Sequence, residues 1–223
     1  MIKDFKRITI FAGHYGSGKT NIAVNYATLI KEQTGREVAL ADLDIVNPYY
    51  RAKDSTDILE AKGIRMISSP FANSNVDLPA LPAEAYAIID DESVYAVCDV
   101  GGDDRGAYAL GRYREGILKG DYEMLMVVNM YRPLTRTVED VLEMKAEIEA
   151  AAGIPFTGIV NNSNIGVLTT KEDVVSSIPF IEEIEKATNL PLRFTAVWDK
   201  IYCELSENYK NLIPLTLQER VWN

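Results

Sequence analysis

Cysteine is scarce, and its two copies, Cys98 and Cys203, form neither a C-x-x-C pair nor a metal-ligand spacing. Cys98 lies inside an apolar run and reads as core. Basic residues are also short: 23 Lys and Arg face 33 Asp and Glu, a net charge of −10. That balance argues against a nucleic-acid surface and against docking on an anionic membrane. No apolar run is long enough to span a bilayer, and a first strand near Arg7 leaves no room for a leader, so a cytoplasmic protein is expected. Internal repeats, low-complexity tracts and linkers are missing as well. The 223 residues suit a single nucleotide-binding domain, 1–223, with a core on two sides of a sheet.

Nucleotide binding is read from one stretch, Gly13-His14-Tyr15-Gly16-Ser17-Gly18-Lys19-Thr20. It fits the phosphate-loop pattern G-x-x-x-x-G-K-[ST] at every fixed position, between a predicted strand (7–12) and a predicted helix (20–33). Its glycines let the backbone wrap a polyphosphate, so that N–H groups converge at a helix N-terminus. Lys19 brings a positive charge to the β- and γ-phosphates, and the Thr20 hydroxyl is a candidate Mg²⁺ ligand.

Strands and helices alternate thereafter, which predicts an α/β fold: a doubly wound, mostly parallel sheet of about seven strands with helices on both faces. The first helix should bury Ile22, Ala23, Tyr26, Ala27 and Ile30 and end at Gly35. Two strand ends carry acids. The run 37–41 leads into Asp42-Leu43-Asp44, whose carboxylates, two residues apart, should project from one face beside the phosphate loop. The run 94–98 ends in Asp99-Val100-Gly101-Gly102. An acid at the end of a buried strand is costly unless it is paired or meets a cation, so Asp99 is a candidate partner of the metal at Thr20. Gly102 is placed to sense a γ-phosphate.

Further along, helices are predicted at 54–63, 83–90, 105–118, 135–151 and 200–210, with Val138, Val141, Leu142, Ala146 and Ile148 facing inward. The strand 156–160 ends in Asn161-Asn162-Ser163-Asn164. Asn162 has both donor and acceptor and could read an adenine edge. Thr170-Lys171-Glu172-Asp173 matches the T-K-x-D pattern that some GTPases use for guanine. It lies well beyond the strand end and just before a helical run, so it reads as a helix N-cap. Residues 70–82 form an irregular Pro- and Asn-rich stretch, a candidate substrate or partner loop.

Gly13 to Thr20, Asp42-Leu43-Asp44, Asp99-Val100-Gly101-Gly102 and Gly158-Ile159-Val160-Asn161-Asn162-Ser163 together resemble the MinD/ParA/CobQ-type family of P-loop ATPases. The resemblance implies Mg²⁺ and ATP, with ADP as product, and often an ATP-bound homodimer. It implies that Lys19 binds phosphates, Thr20 and Asp99 serve Mg²⁺, Asp44 orients the attacking water and Asn162 reads adenine. Asp42 is assigned to the Mg²⁺ water shell. MinD and ParA proteins carry lysine and glycine at the second and third loop positions; His14 and Tyr15 stand here, and the bulk of Tyr15 works against close face-to-face pairing. Three functions follow: an ATPase that switches a protein partner, an ATP-dependent small-molecule ligase or kinase of the CobQ and dethiobiotin-synthetase type, or a non-hydrolysing ATP sensor.

Overall fold

Period-two burial along the strands builds two apolar layers. In β1 (Ile8–Ala12) Ile8, Ile10 and Ala12 enter one layer and Phe11 the other. The computed structural model describes residues 4–44, 56–68, 88–102 and 104–217. The first layer packs beneath helices Asp104–Gly111, Arg114–Lys119, Val138–Ala152 and Ile178–Thr188. The second packs beneath α1 (Lys19–Thr34), which buries Ile22, Ala23, Tyr26, Ala27 and Ile30 as expected and ends at Gly35 in a left-handed conformation, φ 67°.

The remaining strands among the described residues are β2 (Glu37–Leu43), β3 (Ile64–Ser68), β4 (Val94–Val100), β5 (Tyr122–Val128), β6 (Gly158–Asn161), β7 (Leu192–Trp198) and β8 (Leu212–Leu215). They form one sheet of eight, in the order β3-β2-β4-β1-β5-β6-β7-β8, and every pairing is parallel. The chain leaves β1 for one side, returns to β4, crosses to β5 and continues outward. The ends of β1, β4 and β5 therefore border the crevice where ligands bind in open α/β sheets.

The sequence reading needs four corrections. The strand beyond the expected seven is β8, hidden by Pro214; a sheet edge tolerates a proline whose N–H is not needed by a further strand. The predicted helix 200–210 is correspondingly shorter, Asp199–Ser206. The predicted helix 105–118 is two helices, split where the Arg112 and Tyr113 N–H groups bond three residues back, to Ala109 and Leu110. In helix Val138–Ala152 the buried stripe is Val141, Met144, Ile148 and Ala152. Leu142 and Ala146, expected inward, are exposed, because each stands one step around the helix from that stripe. The predicted helix 54–63 is Thr56–Ala61 within the described residues. The 70–82 loop and most of the predicted 83–90 helix fall outside them.

A buried acid bolts the lower half of the sheet together. Glu123 accepts from Thr9 Oγ1 (3.1 Å), Tyr26 Oη (2.8 Å) and Arg193 Nε (2.9 Å), joining β5 to β1, α1 and β7. With three donors on its two oxygens the carboxylate is satisfied away from water. This fixes α1, and with it the loop that opens it.

Candidate functional site

The loop between β1 and α1 depends on backbone conformations that favour glycine. Gly18 sits at φ 89°, and a Cβ there would stand 2.3 Å from Asn162 Nδ2. It opens α1 with no side-chain cap and no acid in the first turn. The helices starting at Val138 and Lys171 have both: Thr137 with Asp140, and Thr170 with Asp173, each a reciprocal capping box. An N-terminus left without acid or cap, behind a left-handed glycine, is the arrangement that receives an anion.

Lys19 is buried, and its Nζ donates to the His14 carbonyl at 3.1 Å, so the lysine closes over its own loop. The Ser17 N–H donates to the same carbonyl at 3.2 Å. The His14 N–H points the other way, to Met144 Sδ at 3.2 Å, which ties the loop to helix Val138–Ala152. Tyr15 projects outward and is 58 % exposed.

The acids gather beside Thr20. Its hydroxyl donates to Asp99 Oδ2 at 2.6 Å. Asp99 is the register partner of Asp42 on one side and of Phe11 on the other, so Asp42 and Asp99 lie on the α1 face of adjacent strands. Both are buried. Burial pushes the Asp99 carboxyl up to about 6, while the Lys19 charge and the Thr20 hydroxyl pull it down and Asp44 pushes it further up. Asp44 follows β2; its N–H donates to Asp42 Oδ1 at 3.0 Å, an Asx turn that fixes the two acids relative to each other.

The two acidic junctions meet at the glycines after β4. A Cβ on Gly101 would lie 3.0 Å from Asp44 Oδ1, and one on Gly102 only 2.5 Å from the Tyr15 N and 2.8 Å from its Cα. Gly102 thus lies directly against the phosphate-loop backbone. Among the described residues no three His, Cys, Asp or Glu are grouped closely enough to hold a metal by themselves. A Mg²⁺ that shares its shell with phosphate and water does not need such a cage, and Thr20 with Asp99 and Asp42 offers the oxygen ligands it takes.

On the opposite flank Asn162 is buried under the loop. Its Nδ2 donates to the Ser17 carbonyl at 2.6 Å, and its Oδ1 accepts from Asn164 Nδ2 at 3.0 Å. Asn162, Asn164, Gly166, Thr169, Trp198 and Leu215 line a small cavity of about 10 Å³ beyond it, room for a single water rather than a base. Asp173 is committed to its cap, accepting at Oδ2 from the Thr170 N–H (2.8 Å) and hydroxyl (2.9 Å). Sequence reasoning missed Met144 and Arg132. A Cβ on Gly16 would stand 3.9 Å from both Cδ and Nε of Arg132, so this side chain lies beside the tip of the loop. Only the turn chemistry of Asn129 to Pro133 at the end of β5 hinted at a fixed element there.

No protein-family model matches the chain, and no curated protein matches it in sequence. Solved structures do match in fold. The cell division protein FtsY of Thermotoga maritima superposes with a TM-score of 0.56 at 18% identity, over 88% of this chain and 63% of that one. Chloroplast FtsY of Physcomitrella patens gives 0.59 at 17%, over 87% and 59%. The signal recognition particle 54 kDa protein of Aeropyrum pernix K1, in complex with GDP, gives 0.57 at 15%, over 87% and 42%. The chain therefore spans less than two thirds of the length of these proteins, and its architecture is that of the P-loop NTPase fold they share.

Proposed function

We propose that this chain is a Mg²⁺-dependent P-loop nucleoside triphosphatase, with ATP as its preferred nucleotide, whose nucleotide state switches an interaction with another protein. The observation that carries the reading is the Thr20–Asp99 hydrogen bond beside a buried Lys19 at an uncapped helix start. The loop N–H groups and Lys19 hold the phosphates; Thr20 and Asp99, with Asp42 beside them, hold the metal and its water. Bound there, Mg²⁺ would neutralise charge between the phosphates. Asp44 orients the attacking water, and Gly102 reports the γ-phosphate to the segment after β4. Phosphoryl transfer asks mainly for such positioning and charge stabilisation.

Adenine is favoured because the Asp173 carboxylate, the acid of the T-K-x-D pattern, serves the helix cap at Thr170. The resemblance to MinD/ParA/CobQ-type ATPases read from the motifs is not supported by the comparisons, in which no family matches and the similar structures are FtsY and the signal recognition particle protein. A guanine reading has its own support, since two of the solved structures of this fold hold GDP. A protein partner is favoured by exposed apolar side chains following the strand ends: Tyr15 after β1, Tyr108 after β4, Leu134 after β5, and Ile165, Val167 and Leu168 after β6.

Calorimetry with ATP, ADP and GTP in Mg²⁺, beside phosphate release, tests the reading. Turnover without added metabolite supports a switch ATPase. Turnover only with a metabolite favours the ligase, tight binding without turnover the sensor, and stronger GTP than ATP binding reverses the base assignment.

A further inference from the structure

We propose that Arg132 is a phosphate-binding residue supplied by the same chain: its guanidinium bonds the outer side of a bound nucleotide's polyphosphate, opposite the loop. The proposal rests on the nucleotide-binding reading above and adds a residue to that site.

The backbone that carries Arg132 is held in place on three sides. The Asn129 side chain accepts from the Tyr131 N–H at 3.0 Å and donates to the Asn164 carbonyl at 3.1 Å. The Met130 N–H donates to Ser163 Oγ at 3.1 Å, and the Thr135 hydroxyl closes the turn on the Asn129 carbonyl at 2.6 Å. Tyr131 Oη donates to the Asp173 carbonyl at 2.9 Å. Pro133 restricts Arg132 to an extended conformation, observed at φ −104° and ψ 138°. A side chain launched from so fixed a point is aimed.

Its aim is the loop tip. Its Cδ and Nε stand beside Gly16, each 3.9 Å from where a Cβ on that glycine would be. Arg132 is exposed, and among the described residues no carboxylate forms a salt bridge with it, although the chain carries 33 acids against 23 bases. The loop N–H groups and Lys19 can serve only the inner oxygens of a polyphosphate. A planar fork of N–H donors held over the tip matches the outer ones.

The test is calorimetry of ATP, ADP and AMP in Mg²⁺ with wild type, Lys19→Ala, Arg132→Gln and Arg132→Lys. Arg132→Gln should weaken ATP about tenfold, the size of one charge-assisted contact, and leave AMP within twofold. Arg132→Lys, which keeps the charge and loses the fork, should fall between. Melting temperature should not move, because no protein contact is lost. An Arg132→Gln protein that binds ATP like the wild type, or weakens ATP and AMP equally, overturns the proposal. If Lys19→Ala still loses ATP in that case, the nucleotide site stands and only Arg132 is misassigned; a wild type that binds no nucleotide overturns both.

Discussion

Asn162 and Ser17, 145 residues apart in sequence, meet in a hydrogen bond of 2.6 Å from the carboxamide Nδ2 to the main-chain carbonyl. The contact ties the end of β6 to the phosphate loop, so a residue expected to read a base also holds the loop in shape. Asn162→Ala should therefore weaken ATP and GTP together, by about fivefold to tenfold, because a buried carbonyl loses its donor and the loop relaxes. Paired calorimetric titrations decide between brace and reader: loss confined to ATP would make Asn162 a base reader alone.

Gly102→Ala should damage the site from the other side. The new Cβ would meet the Tyr15 backbone at 2.5 Å, and backbone cannot swing aside as a side chain can. ATP affinity should fall at least tenfold with about 1–3 kcal/mol of stability. Gly35→Ala, at the far end of α1, is the control: at φ 67° with open space around it, it suffers only conformational strain and should leave nucleotide affinity unchanged. Chemical denaturation and ATP titration of both variants check this, and equal behaviour would contradict it.

Asp99→Asn should stabilise the protein in the absence of metal and nucleotide while removing Mg²⁺-dependent binding. Burial raises the Asp99 carboxyl from 3.8 to about 6, so the native state holds its proton more tightly than the unfolded chain does. That contribution is full below the unfolded value and is lost as pH rises through about 6, leaving a cost on the order of 1–3 kcal/mol at neutral pH. Wild-type stability should drop relative to Asp99→Asn between pH 4 and 7 in chelator, by about that amount. Parallel denaturation curves at the two pH values would contradict the account.

Much of this was legible in the chain because local signals and tertiary burial agreed. The phosphate loop, the buried face of α1, the Thr170 cap and the Asp99 junction each follow from residue type and spacing. Other features depend on what lies across the fold. Pro214 argues locally against a strand, and only its place at the sheet edge makes β8 possible. The period of helix Val138–Ala152 was right, but Met144 rather than Leu142 faces inward, in one stripe with Val141, Ile148 and Ala152. Arg132 belongs to no motif; its interest comes from the Gly16 tip, which no spacing relates to it.

The acids of β2 should separate in function. Asp44 lies beyond the strand, against Gly101, while Asp42 is in register with Asp99 beside Thr20. Asp44→Asn should keep ATP affinity within about threefold and lower single-turnover hydrolysis a hundredfold or more, as loss of a water-orienting group does. Asp42→Asn should weaken binding in Mg²⁺ as well. Rapid-quench rates beside affinities test this, and wild-type hydrolysis by Asp44→Asn would remove its role.

The most direct test of the account is titration of Mg²⁺-ATP into wild-type protein and Lys19→Ala, with and without chelator. The account predicts saturable binding to the wild type that weakens when Mg²⁺ is removed. It predicts a loss of at least a hundredfold in the folded Lys19→Ala protein, since a buried ammonium at the phosphates is replaced by nothing. Equal affinity in the two proteins would contradict the claim that residues 13–20 form a phosphate site.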